Sequence, residues 1–461
     1  MHSEVKRREY FAVNGNAFTS LGNNIIRIDV SGEDFLDPKN SYLRYRFTNL
    51  TAGAGVSCGI DYGGGHTFIR RMRIEQAGNV LSDVNNYNKL MSSVILPSQG
   101  TRDSLQHRSL TENCRWANET AAGNSFIQGG LAAAATVTGG SVTTPTNSQT
   151  LVAQNGTMDF CIPLVNGLLG TTQEKLVPLA LLGSSPLTIE LELCPLLDIG
   201  VFSGAPAVGS DYQIDNVRYV ASLVETPPVV HQQIKMVQEM SGGRLMLNGT
   251  DFTHFNGAIA QAATGQQNIN VPARRRSINS VFFVGASQNF AGAGILQAVA
   301  YNMSFGGNFN MTEYNLKIGS LQVPPQPIQC NYGAVGWAGE SRSEHLSELE
   351  KCVGTLGSTT GAGSLCSHNF ATGDCDVANM GQATVGAAGD ATYQFSPFAI
   401  DMRSFARVAT SSGANTADRS TPITLQINIG AAAGEAINVD AFVAYDSLYY
   451  IDQSGTIRVS L

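Results

Sequence analysis

Cys352, Cys366, His368 and Cys375 fall within 24 residues and together offer the soft donors that a zinc ion takes. Structural zinc sites bring their ligands in pairs roughly two to four residues apart, and here only Cys366 and His368 are that close, so the expectation is loop cysteines without metal. The other histidines, His2, His66, His107, His231, His254 and His345, are scattered and define no triad. Walker, HExxH and EF-hand patterns are absent from the sequence. The run Gly63-Gly64-Gly65 follows Asp61-Tyr62 and precedes a strand pattern rather than a helix, which excludes a dinucleotide turn and reads as a tight loop. The chain therefore reads as a non-enzyme with no catalytic residues, no cofactor and no metal.

Two arginine clusters remain, Arg70-Arg71-x-Arg73 and Arg274-Arg275-Arg276. Arg71 and Arg73 share a strand face, so one reading is a solvated or ion-paired sheet surface. The other is an interface with acidic surface on a second copy, because a guanidinium pairs with carboxylates in a planar fork. All six arginines are carried as candidate inter-subunit contacts. No aromatic residues are interleaved with them as a base-stacking platform requires, and the net charge of −8 argues against coating nucleic acid through its phosphates. No direct, sequence-specific nucleic acid partner is expected.

The elements that would position these residues are strands. Charged residues make up 14% of 461 positions against about 25% in an average soluble protein. The 49 glycines, with abundant Asn, Thr and Ser, favour an all-β chain with long loops over a helical bundle. Ile26, Ile28 and Val30 alternate with polar residues, as do Leu43, Tyr45 and Phe47; Leu187, Ile189, Leu191 and Leu193; and Ile423, Leu425, Ile427 and Ile429. One packed and one wet face per strand is the pattern of antiparallel sheets packed as a sandwich. Cys161 and Cys194 sit in such runs and read as small buried hydrophobes. No stretch reaches the roughly 18 apolar residues of a membrane span, and residues 1–9 lack the apolar run of a secretory signal, so a soluble protein made in the cytoplasm is expected.

Helical spacing appears over residues 82–96, with Pro97 as the stop, and over 341–356, opened by a Ser341-x-x-Glu344 capping box with Leu346, Leu349, Val353 and Leu356 as one stripe. A third, weaker pattern covers 229–240 after Pro227-Pro228. Each of the first two is followed by a long tract of small residues, 120–157 and 354–390, expected to be exposed. This order of elements implies two copies of one plan. The division expected is 1–225, a linker over 226–240, and 241–461.

The order of several segments resembles double jelly-roll major capsid proteins, in particular those of Polinton-like viruses within the lineage of adenovirus and tailless membrane-containing phages. In the first half these are Ile25-Ile26-Arg27-Ile28, then Phe35-Leu36-Asp37-Pro38-Lys39-Asn40-Ser41-Tyr42-Leu43, Gly65-His66-Thr67-Phe68-Ile69-Arg70-Arg71, and Asp83-Val84-Asn85-Asn86-Tyr87-Asn88. In the second half they are Tyr314-x-Leu316-x-Ile318-Gly319, Pro324-Pro325-x-Pro327 and the ending from Val443-Ala444-Tyr445-Asp446 to Ile451-Asp452-Gln453-Ser454-Gly455. The resemblance implies two eight-stranded antiparallel jelly rolls with a few short helices. It also implies homotrimeric, pseudo-hexagonal capsomers tiling an icosahedral shell in the virion, with the chain made in the host cytoplasm. Its implied partners are further copies of itself, penton and minor capsid proteins, and an internal membrane. The competing reading is a tandem β-sandwich carbohydrate-binding protein, lectin-like or fibre-like, although only Trp116 and Trp337 are present to stack on sugars.

Overall fold

The computed structural model of the chain describes residues 4–51, 56–61, 63–99, 112, 152–170, 176–183, 185–202, 206–287, 303, 306–307, 311–330, 343–354, 392–393, 397–403, 413–418, 421–430 and 436–460. Its first half holds β1 (Glu4–Phe11), β2 (Ala17–Thr19), β3 (Ile25–Val30), β4 (Phe35–Leu50), β5 (Cys58–Ile60), β6 (Ile69–Gln76), β7 (Asn79–Asn85), β8 (Thr157–Ile162), β9 (Val177–Pro178), β10 (Leu187–Leu193), β11 (Gly200–Phe202) and β12 (Asp211–Glu225). The second half holds β13 (Leu245–Ile259), β14 (Gly265–Asn270), β15 (Ile278–Ser287), β16 (Gly306–Gly307), β17 (Met311–Ile318), β18 (Leu321–Gln329), β19 (Thr392–Tyr393), β20 (Phe398–Asp401), β21 (Ile423–Ile429), β22 (Ile437–Ile451) and β23 (Ile457–Ser460).

Pairing makes each half a jelly roll built on two four-stranded antiparallel frameworks of the same topology, with β2 and β9 added to the larger sheet of the first half, β16, β19 and β23 to that of the second, and β5 paired with β11 apart from both. In the first half the sheets run β1-β12-β4-β8 and β3-β10-β6-β7. In the second they run β13-β22-β15-β20 and β14-β21-β17-β18, β20 joining through its pairing with β15. The chain passes between the two sheets in the same sequence in both halves. The alternating runs decide the packing: Ile26, Ile28 and Val30 on β3 and Leu187, Ile189 and Leu191 on β10 are all at most 2% exposed. They face Leu43, Tyr45 and Phe47 across the sandwich, and the second half repeats this with Ile423, Leu425, Ile427 and Ile429.

Both helices with helical spacing sit in the connection between the fifth and sixth strands of their roll, but their bounds differ from the sequence reading. Residues 79–85 remain strand β7, with Ser82 opposite Ile74 and Val84 opposite Met72, because the edge of β6 offers Val84 a better-packed partner than a helix would. Asn86, at φ 49°, turns the chain by the left-handed conformation that Asn tolerates. Helix then runs as Tyr87–Lys89, a π-helical segment Leu90–Ile95 and Leu96–Gln99, continuing past Pro97 instead of stopping there. The widened π turn precedes the proline, which has no N–H to give to the ladder. The second helix is Ser343–Val353, with His345 and Leu349 as its buried residues. Ser341 and Leu356 lie outside the described residues, and the Glu344 carboxylate accepts a hydrogen bond from the Gln329 N–H, 3.2 Å away.

Two further expectations are corrected. Gly64–Phe68 is a short 3₁₀ helix rather than a loop, and a Cβ on Gly65 would stand 2.5 Å from Ile162. Cys161 is exposed, because Phe160 and Ile162 take the inward positions of β8; Cys194 is buried as expected. Between the rolls, Pro228–Met240 is a helix opened by Pro228, mostly solvent-exposed, with Gln238 tied to the Ile451 carbonyl at 3.1 Å.

Candidate assembly surfaces

In the sheet β13-β22-β15-β20, the strands β22, β15 and β20 are buried on both faces over most of their length. Val281 and Phe283, Val439, Ala441 and Val443, and Phe398 and Ile400 point into the second roll. Their neighbours Phe252, Phe282, Val284, Ala399, Phe442 and Ala444 join the core of the first half. Against this outer face stands the first-half helix, with Leu90, Met91 and Val94 at most 1% exposed.

Polar groups are set into this seam. The Lys89 ammonium pairs with Asp440 on β22, and His254 Nε2 of β13 lies 2.7 Å from the other oxygen of Asp440. Burial pushes the Asp440 carboxyl up, but the charge of Lys89 and hydrogen bonds from His254 and Lys89 outweigh it and hold the group well below the usual carboxylate range. Nearby, Ser82 Oγ donates to Asp251 Oδ1 at 3.0 Å and the Phe252 N–H to the same oxygen at 2.9 Å. Asp251 Oδ2, Ser447 Oγ and Tyr449 Oη are buried without a hydrogen-bond partner among the described residues. Burial raises the Asp251 carboxyl to about 6. Gln76 Nε2 donates to the Gly455 carbonyl at 3.0 Å, and its Oε1 accepts from the Ile457 N–H at 2.9 Å. No local pattern announces these pairings, whose partners are up to 381 residues apart.

Gly167 lets the two rolls meet. Asn166 folds a turn by accepting from the N–H groups of Leu168 and Leu169, and a Cβ on Gly167 would lie 2.0 Å from Tyr449 Oη and 3.0 Å from Asp251 Cβ. Gly167→Ala should therefore destabilise the protein by about 1–3 kcal/mol, the usual range for overpacking, as measured by denaturant unfolding.

The structure places the two arginine clusters on different rolls. Arg71 forks onto Asp83 at 2.8 and 2.6 Å, while Arg73 approaches Glu75 at 3.1 Å and Glu190 at 3.8 Å; Glu190 also pairs with Arg27 at 2.9 Å. This is an ion-paired outer sheet face. Arg274 donates to the Asp418 carbonyl at 3.0 Å, and Arg275 reaches Thr253 Oγ1 at 3.1 Å with its guanidinium 4.4 Å from the centre of the Tyr445 ring. Arg70 and Arg276 are exposed. Of the Cys/His cluster only Cys352 is described, half-buried, with its thiol pushed well up by burial; Cys366, His368 and Cys375 lie outside the described residues, as do Trp116 and Trp337 and most of the two long tracts.

No family model and no curated protein matches the sequence. Solved structures do match. PBCV-1 VP54, fitted into a reconstruction of the virophage Sputnik, superposes with a TM-score of 0.58 at 10% identity, over 100% of this chain and 97% of that one. A quasi-atomic model of the PBCV-1 virus capsid gives 0.54 at 11% identity, with the same coverage of 100% and 97%. The Faustovirus major capsid protein gives 0.54 at 9% identity over 97% of this chain and 90% of its own. The correspondence runs through both rolls and the helix that joins them, and the chain thus has the double jelly-roll fold found in these viral capsid proteins.

Proposed function

We propose that this chain is a major capsid protein whose working unit is a homotrimer. The observation that carries this reading is the pair of topologically identical rolls packed side by side, matching capsid proteins along nearly the whole of both chains. Three copies around an axis present six rolls, and such a unit packs hexagonally with its neighbours in an icosahedral shell. The functional units in this reading are 1–225 and 241–461 joined through 226–240. The protein resides in the virion after synthesis in the host cytoplasm, acts without catalysis, and meets penton and minor capsid proteins, and an internal membrane where the virus has one. Arg70, Arg71, Arg73 and Arg274–Arg276 are its candidate inter-subunit contacts.

The low charge content of 14% suits wide interfaces, since fewer charges lose water when they close. Light scattering and native mass measurement across a salt series should show larger assemblies loosening before the trimer splits, because exposed ion pairs are screened more than buried contacts. A protein that instead stays small at every salt concentration and is retained on a glycan column would be a tandem binding module.

A further inference from the structure

The roll-to-roll seam inside the chain has two open counterparts. The first-half helix is buried on all sides, by its own roll and by the outer face of β13-β22-β15-β20. The second-half helix Ser343–Val353 occupies the same topological position, but over 344–353 only His345 and Leu349 are buried; Glu344 is exposed, and Leu346 and Glu350 are half-covered. Likewise, the covered sheet in the second roll presents one cross-strand row of His254, Phe442, Phe282 and Ala399. The equivalent sheet of the first roll presents Phe11, Arg218, Arg44 and Cys161 as such a row, and among the described residues no element covers it. Phe11 is 56% exposed there and Cys161 is exposed. A second row, Asp215, Arg46 and Asp159, lies beside it.

We propose that this outer face of β1-β12-β4-β8 receives the helix Ser343–Val353 of a second copy, repeating between chains the contact that the first-half helix makes within one. A helix at one end of the chain and a matching sheet face at the other form a head-to-tail, heterologous contact, which closes into a ring when the rotation permits. The charges are complementary with the polarity reversed. Inside the chain the helix brings a cation, Lys89, to an acid on the sheet, Asp440. Between chains the helix brings Glu344 and Glu350 to a sheet face carrying Arg7, Arg44, Arg46 and Arg218; the face's own acids are Glu9, Asp159 and Asp215, of which Glu9 and Asp159 engage the arginines in part-exposed pairs at 2.8 to 3.6 Å. Leu346 then has Phe11 to pack against. The reversal also gives direction, since a helix carrying Glu344 and Glu350 is a poor match for the face that holds Asp440. The assignment rests on the trimeric capsomer reading and specifies its seam; its ion pairs become buried on association and so resist screening better than those between capsomers.

The test uses full-length protein and native mass measurement. R44E/R46E should weaken trimer formation by about a hundredfold or more, E344R/E350R should do the same, and the fourfold combination should restore the trimer. In the unmodified protein, which avoids any effect of substitution on folding, iodoacetamide labelling of Cys161 followed by peptide mapping should be fast in dissociated chains and about tenfold slower in trimers. If R44E/R46E trimerises as tightly as the unmodified chain, or Cys161 labels equally fast in trimer and monomer, this seam is wrong while the capsomer reading stands. If the unmodified chain never trimerises, both fall.

Discussion

Asp440→Ala should lower the unfolding free energy by about 3–5 kcal/mol, the usual cost of leaving a buried partner charge uncompensated. The side chains of Lys89 and Asp440 are 13% and 6% exposed, so the ammonium that remains has little water to turn to. The charge sits in the seam, opposite β22, and both the pairing of the rolls and the local fold should feel its loss. A Lys89→Met/Asp440→Leu double change removes both charges and should recover most of the stability, because an apolar pair of similar volume avoids the desolvation of two ions. The pH dependence has a definite sign. The Asp440 carboxyl is held low in the folded chain, so its contribution is present in full above the ordinary carboxylate value, about 4, and is lost as pH falls below it. Denaturant midpoints of the unmodified protein and D440A should therefore converge in acid. A gap that persists unchanged at pH 3 would contradict this assignment.

The second large effect has the opposite sign. Asp251 is fully buried at the same seam, and burial raises its carboxyl to about 6 against about 4 in the unfolded chain. Between those values the folded protein holds a proton that the unfolded chain has released, so stability falls as pH rises through that window and the loss is complete above it. A shift of about two units corresponds to roughly 2–3 kcal/mol. Asp251→Asn keeps an acceptor for Ser82 and Phe252 and cannot ionise. It should match the unmodified protein near pH 4 and exceed it by up to that amount at pH 8. Thermal or denaturant unfolding at pH 4 and pH 8 reads both arms, and a D251N protein less stable than the parent at pH 8 would overturn the reading.

The sandwich was legible because period-two alternation reports directly on which side chains face a core. Leu187, Ile189, Leu191 and Leu193 are buried as the pattern requires, and so are the four isoleucine and leucine positions of β21. The duplicated plan was legible in the order of strands, helix and tract, which the two matching topologies repeat. What failed was local. Val84 satisfies helical and strand spacing equally, and only the edge of β6 decides between them. Cys161 lies in a run that alternates, but alternation alone does not say which parity is inward at a sheet edge; Phe160 and Ile162 settle it. The seam was out of reach for a different reason. An acid such as Asp440 inside the apolar run Ile437–Ile451 could have been noticed as an anomaly, yet its partner Lys89 is 351 residues away. Nothing local links the two. Similarly, the shared strand face of Arg71 and Arg73 is legible from their spacing, while the meaning of the Arg44, Arg46 and Arg218 face comes only from comparison with the covered sheet of the other roll.

Electron microscopy of the purified full-length protein, imaged over a range of concentrations, tests the central claim most directly. The account predicts discrete particles of three chains, each about three times the 48.8 kDa of one, seen end-on as six lobes around an axis and packing hexagonally into sheets or closed shells as concentration rises. A field of single two-lobed particles, with no trimers and no larger arrays at any concentration or salt, would contradict it.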